Sequence, residues 1–200
     1  SPMPGRRSGS GEMDNASWMR RTTLAISPFQ FTESGVGGGL SYERAVEPQG
    51  MLSVYVPFIA SFSVNNNNND YYYSYQGANN STNYMLYAMP GVKFYPTGMG
   101  RCKYAVGPNA VIGYGRKYEN YYYPMYNSQY VYAPYYYSGS RERFLLGMMI
   151  NNSLNVNVAH HLYIGAELGF GFTYFDRVGG YNEGVNFLTQ GSFKIGYTLH

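Results

Sequence analysis

Charge is scarce in this chain. Asp, Glu, Lys and Arg together make up only 12% of 200 residues, and the formal net charge is +3. The basic residues are scattered and form no dense block, which excludes nucleic acid as the expected partner. A single cysteine, Cys102, excludes an internal disulfide, and its position deep in the chain excludes a lipoprotein anchor. No run of 18 or more apolar residues exists, so no transmembrane helix is expected. Helix-period patterning is missing too, so nothing in the chain would cover the apolar face of a strand. Residues 1–17 are polar and rich in Gly and Ser, without the apolar stretch of a signal peptide. Residues 1–18 are therefore read as a mobile N-terminal segment or a remnant of added sequence, and 19–200 as one domain.

What the chain has in excess is Gly and Tyr, 25 of each. They fall into an alternating pattern. From Leu162 to Tyr174 every even position is apolar or aromatic, while the odd ones are mostly Gly, Glu, Thr or Tyr. The same alternation marks eight segments, 20–32, 36–46, 50–64, 84–96, 101–116, 142–156, 161–175 and 185–200. Each reaches the about 9 to 11 residues a tilted strand needs to cross hydrocarbon. Alternation hides membrane strands from average hydropathy, so a mean of −0.36 is no obstacle. The expected fold is all-β, an eight-stranded antiparallel up-and-down transmembrane β-barrel with its apolar face in lipid. Pro28 changes the phase of the first strand, since Leu24 and Ile26 alternate one way and Phe29 and Phe31 the other; a bulge is expected there.

The connections alternate as well. Those at 47–49, 97–100 and 157–160 are short, whereas 65–83 and 117–141 are long, as in bacterial outer-membrane barrels with short periplasmic turns and long external loops. An even strand count then puts both termini in the periplasm. Aromatic residues near strand ends suit two interfacial girdles, Trp18, Tyr42, Phe94, Tyr104 and Tyr197 at one rim and Phe31, Phe62, Tyr114, Phe144 and Tyr174 at the other.

Four stretches resemble the small outer-membrane β-barrel proteins common in Bacteroidota: Gly39 to Arg44 (GLSYER), Met89 to Gly98 (MPGVKFYPTG), Gly107 to Asn109 (GPN) and Leu162 to Gly171 (LYIGAELGFG). The likeness runs over about residues 20 to 200. It implies the barrel fold and allows, without specifying, a role beside a larger outer-membrane machine.

Three residue sets stand out. Glu43, Lys93, Lys103, Glu167 and Lys194 all fall on the inward phase, where a narrow lumen demands that opposite charges pair. They are read as a salt-bridged plug, with a narrow ion path constricted at Lys93, Glu167 and Lys194 as the alternative. The two long loops carry Asn65 to Asn69, Tyr71, Tyr72 and Tyr73, then Tyr121, Tyr122 and Tyr123, and Tyr135, Tyr136 and Tyr137. Tyrosine offers large, fairly rigid contact area with a polar tip, and asparagine adds adaptable hydrogen bonding, so these loops suit a protein or glycan partner. A bland alternative is a tall hairpin with tyrosines paired across it. Arg116, Lys117, Arg141 and Arg143 bracket the larger loop and are read as contacts to lipopolysaccharide phosphates.

No nucleophile–base set, phosphate-cradling loop or metal-spaced Cys/His group is present, and the adjacent pair His160 and His161 is a poor metal site. The chain is read as non-enzymatic and without cofactor or metal. The expected function is surface binding or scaffolding, with a larger outer-membrane complex or a surface glycan as partner. A narrow pore and a purely structural barrel are the alternatives.

Overall fold

A computed structural model describes residues 22–47, 50–65, 81–96, 101–123, 126–127, 130–131, 135–159 and 161–199. Its strands are β1 (Thr22–Thr32), β2 (Gly35–Ala45), β3 (Leu52–Asn65), β4 (Ser81–Ala88), β5 (Gly91–Phe94), β6 (Cys102–Tyr123), β7 (Tyr126–Asn127), β8 (Tyr130–Val131), β9 (Tyr135–Asn157), β10 (Leu162–Val178), β11 (Tyr181–Asn182) and β12 (Phe187–Leu199). Each of β1, β2, β3, β6, β9, β10 and β12 is one wall of a barrel, and β4 with β5 makes the eighth. Every wall pairs antiparallel with its neighbour, and β12 pairs back onto β1, so the sheet closes. Closure leaves no unpaired edge, the condition for placing strands in lipid.

Inside and outside follow the alternation. In β10 the even residues Leu162 to Tyr174 are exposed and the odd ones buried. The exposed face is oily: Leu40, Phe58, Met148, Ile150, Phe170 and Phe172 are each more than half exposed. Nine of the ten proposed girdle aromatics face outward; Trp18 lies outside the described residues. On β6 the ten steps from Tyr104 to Tyr114, each rising about 3.3 Å and tilted about 40°, give an apolar belt roughly 25 Å tall.

The register of β1 shifts between Ile26 and Phe29 against β12, and between Ser27 and Gln30 against β2, so the chain does bulge at Pro28. The bulge keeps Ile26, Phe29 and Phe31 on one outer face. There the Phe31 ring lies over Gly191, its cross-strand partner, in the space where a Cβ at 191 would sit. The fourth wall departs from the single strand expected over 84–96. It breaks at Met89–Pro90, because Pro90 has no N–H to give to the ladder. Asn109 repairs the gap by donating from Nδ2 to the Met89 carbonyl at 2.6 Å. A second bulge, between Thr173 and Phe175 of β10, was not expected; it turns Asp176 inward.

Short turns and both barrel termini share one end of the barrel, called here the terminal end. The Glu33–Ser34 turn and the tall β6–β9 ribbon stand at the other, the loop end.

Candidate functional site

The lower half of the interior holds a compact set of charges. Glu167 Oε2 accepts from Lys93 Nζ at 2.8 Å and Lys194 Nζ at 2.6 Å, while its Oε1 accepts from Tyr55 Oη and Gln190 Nε2, each at 3.2 Å. Both ammonium groups also lie against the Tyr55 ring, 3.6 Å and 4.4 Å from its centre, and Lys194 donates to the Tyr55 hydroxyl. Glu43 accepts from Tyr95 Oη and stands 3.9 Å from Lys93. Two lysines against two glutamates make the group neutral overall, which suits burial: Lys93, Glu167 and Lys194 are at most 3% exposed. Lys103 lies lower, with Glu43, on the wall of a cavity of about 60 Å³ open toward the terminal end; Tyr95, Asn155 and Tyr163 also line it. The structure thus brings Lys93, Glu167 and Lys194 into direct contact and leaves Glu43 and Lys103 at their margin.

Above this cluster, toward the loop end, the interior turns apolar. Ile59, Met85, Tyr87, Met89, Val111, Leu145, Met149 and Leu188 form one buried group contributed by β3, the β4–β5 wall, β6, β9 and β12. Beside it Thr32 donates to Ser61 across the interior at 2.9 Å.

A second polar set caps the loop end, and it corrects the reading of Arg143 as a lipid-phosphate contact. Its guanidinium points inward and grips Asp176 with two bonds, Nε to Oδ1 at 2.9 Å and a terminal nitrogen to Oδ2 at 2.6 Å. Asn186 adds a bond to Oδ2, and Arg143 also reaches Ser34 Oγ at 3.3 Å. Ser34 meets the Tyr87 hydroxyl, which donates to Glu33 at 2.6 Å, so the network ties the β1–β2 turn to β4, β9 and β10. Lys117 and Arg141 share the inward phase: Lys117 pairs with Glu183 at 2.9 Å, and Arg141 lies 5.9 Å from the Tyr181 ring centre. Only Arg116 of the four stands outward and exposed, one outward position beyond Tyr114. Replacing Arg143 with Ala leaves the fully buried Asp176 carboxylate without its cation, and the barrel should lose about 3 kcal/mol. Hydrogen exchange should then quicken at 33–34 and 176–186. Arg143→Lys should restore only part, because an ammonium cannot make the paired bonds of a guanidinium.

Of the tyrosine sets, Tyr71, Tyr72 and Tyr73 lie outside the described residues. The backbones of Tyr121, Tyr122 and Tyr123 are strand residues of β6, in register with Tyr137, Tyr136 and Tyr135 of β9. His160 is also outside the described residues; His161 stacks on Tyr197 and approaches the Thr198 carbonyl at 3.2 Å. Among the described residues no group of three or more His, Cys, Asp or Glu gathers to hold a metal.

Sequence reasoning missed Tyr55, Tyr95, Gln190, Asp176 and the Glu33–Ser34–Tyr87 bridge. The phase of β3 put Tyr55 inside, and a buried hydroxyl must find a partner. That signal was available for Tyr55; the inward turn of Asp176 was not.

Closed, eight-stranded, antiparallel and oily outside, the chain has the fold of the small outer-membrane barrels. No protein-family model and no curated protein sequence matches it. Among solved structures it is similar to a major outer membrane protein of Thermus thermophilus, with TM-score 0.59, 13% identity and 90% of this chain covering 98% of that one. Neisserial surface protein A matches with TM-score 0.54 and 9% identity over 90% and 97% of the two chains. The attachment invasion locus protein Ail of Yersinia pestis matches with TM-score 0.53 and 11% identity over 90% and 99%. Ail has also been solved in complex with the heparin analogue sucrose octasulfate. At such identities the likeness is one of fold.

Proposed function

We propose that this protein resides in the bacterial outer membrane, is closed to ions, and binds a partner at the cell surface through its Tyr/Asn-rich loops. The termini lie in the periplasm and the long loops outside. The partner placed first is a larger outer-membrane complex, to which the barrel is an accessory subunit. The motif likeness to Bacteroidota barrels makes that phylum the first source to consider.

One observation carries the binding reading. Beyond the Arg116–Glu142 pair, β6 and β9 continue through seven more cross-strand pairs, from Lys117–Arg141 to Tyr123–Tyr135. At about 3.3 Å per residue this ribbon projects roughly 23 Å along the strands. A structural barrel needs no such extension, whereas a paired ribbon gives tyrosines a preordered backbone and lowers the entropy lost on binding. Support for a closed lumen comes from the buried Lys93–Glu167–Lys194 cluster and the apolar group above it. A surface glycan is the second partner class, because a barrel of this fold was solved with a heparin analogue. Arg116 supplies the lipid-phosphate contact.

Removal of 119–139 should leave membrane insertion intact and abolish partner capture, read as the mass of the tagged barrel extracted gently from its native membrane. The bare chain weighs 22.6 kDa, so a stoichiometric partner is easily seen. Capture that persists after both long loops are deleted sinks the binding reading.

A further inference from the structure

From Phe144 to Val156 the even residues of β9 face outward, and all but one are apolar. The exception is Asn152. It stands opposite Val106 of β6 on one side and Leu168 of β10 on the other, with Ile150 and Leu154 next to it along its own strand. Aliphatic side chains therefore ring it. The four residues from Asn152 to Val156 span roughly 10 Å of depth in a strand tilted about 40°. Among the described residues, Asn152 is the only Asn, Gln or charged side chain on the outward phase between the two girdles. A polar side chain so placed is costly and calls for a partner.

Tyr104 marks the same spot. It belongs to the girdle and pairs with Leu154, yet its hydroxyl turns into the belt and donates to Asn152 Oδ1 at 2.7 Å. A girdle tyrosine ordinarily keeps its polar tip at the headgroups. That one bond satisfies only one end of the amide. Asn152 Nδ2 has no acceptor among the described residues, and turning the amide over would leave its oxygen bare instead. Acyl chains supply neither donor nor acceptor.

We propose that β6, β9 and β10 form a dimer face, on which Asn152 of a second copy of this chain completes the amide. A primary amide is its own complement. Each Nδ2 donates to the opposite Oδ1, which has a second lone pair beside the one that Tyr104 occupies. The membrane supplies the alignment: two copies inserted the same way carry Asn152 at one depth, and a two-fold axis along the membrane normal sets the two residues face to face. Val106 and Ala166, short side chains beside Asn152, let the walls approach. No charged residue stands on the outward phase of these three walls between the girdles to repel a like surface. A different membrane protein would have to bring its own acceptor to the same depth, whereas a second copy has one there already.

The experiment reads self-association in lipid vesicles. Wild-type protein labelled in two colours should show energy transfer that persists as the protein is diluted with lipid. Asn152→Leu should need about tenfold more protein per lipid for the same signal, the scale of one amide bond between membrane segments. At dilutions where both are monomers, Asn152→Leu should resist urea at least as well as the wild type, because the belt gains an apolar residue. A second arm leaves the amide intact. In a Cys102→Ser background, Val106→Cys should cross-link to itself on oxidation, while Leu40→Cys, on β2 across the barrel, should not. A monomeric wild type overturns the proposal, as does equal self-association of Asn152→Leu or cross-linking at Leu40→Cys in place of Val106→Cys. The cross-linking arm decides if the leucine variant fails to insert. The dimer rests on the membrane reading and not on the loops: a chain that will not enter vesicles defeats both, whereas one that inserts and stays monomeric defeats the dimer alone.

Discussion

Glu167→Ala should destabilise the barrel by about 3 to 5 kcal/mol, the largest effect expected of any single side chain in it. The reason lies in what stays behind. Lys93 and Lys194 are each 3% exposed, and their ammonium groups lean on one carboxylate oxygen, 2.8 and 2.6 Å away. Removing that carboxylate leaves two like charges in a confined interior, with the Tyr55 ring and Glu43, 3.9 Å from Lys93, as their remaining relief. The pairing itself is worth far less than its rupture costs, since ions so placed have already surrendered their hydration. The triple variant Glu167→Leu, Lys93→Met, Lys194→Met should therefore recover most of the loss. Circular dichroism in urea with lipid vesicles measures both. An alanine variant within about 1 kcal/mol of the wild type would mean that water screens the cluster far better than its burial implies.

Ile150→Arg should cost about 2 to 4 kcal/mol even though Ile150 is 57% exposed. Exposure ordinarily predicts tolerance, and in a water-soluble barrel this change would be harmless. On this chain Ile150 sits mid-belt on β9, opposite Pro108 on one side and Phe170 on the other, so the guanidinium enters hydrocarbon. Val185, which is 72% exposed in the stretch between β11 and β12, is the matched control: Val185→Arg should stay within about 0.5 kcal/mol. Equal costs at the two positions, measured by urea unfolding in vesicles, would contradict a lipid-facing belt.

Period-two patterning made the walls readable because each wall must show one face to oil and the other to its own interior. Even the Pro28 bulge was visible, since proline and a change of phase coincide there. The bulge between Thr173 and Phe175 gave no such mark. Tyr174 and Phe175 are both aromatic, so either phase reads as a continuous strand, and Asp176 fell beyond the expected strand end at 175, along with its partnership with Arg143. The repair of the break at Met89–Pro90 depends on an Asn109 side chain from the next wall, a contact that no local pattern encodes. Inward lysines and glutamates were legible as a group, but the choice of Glu167 as the shared acceptor is set by register. Ser153 and Ser192, its direct neighbours, are too small to reach it, while Tyr55 can reach it from across the barrel.

The seam between β1 and β12 has a kinetic meaning. Most wall pairs join neighbours in sequence, so they resemble hairpins and can form early at modest entropic cost. Thr22, however, meets Leu199 at almost the full length of the chain, and Ile26 meets Ile195. Such a contact waits until every intervening segment has been placed. The last strand is thus the clasp of the whole assembly: until it docks, both β1 and β12 present bare ladder groups that lipid cannot satisfy. Insertion should accordingly be all-or-none with respect to β12, and chains halted before it should be found outside the bilayer or held by whatever machinery guards open edges.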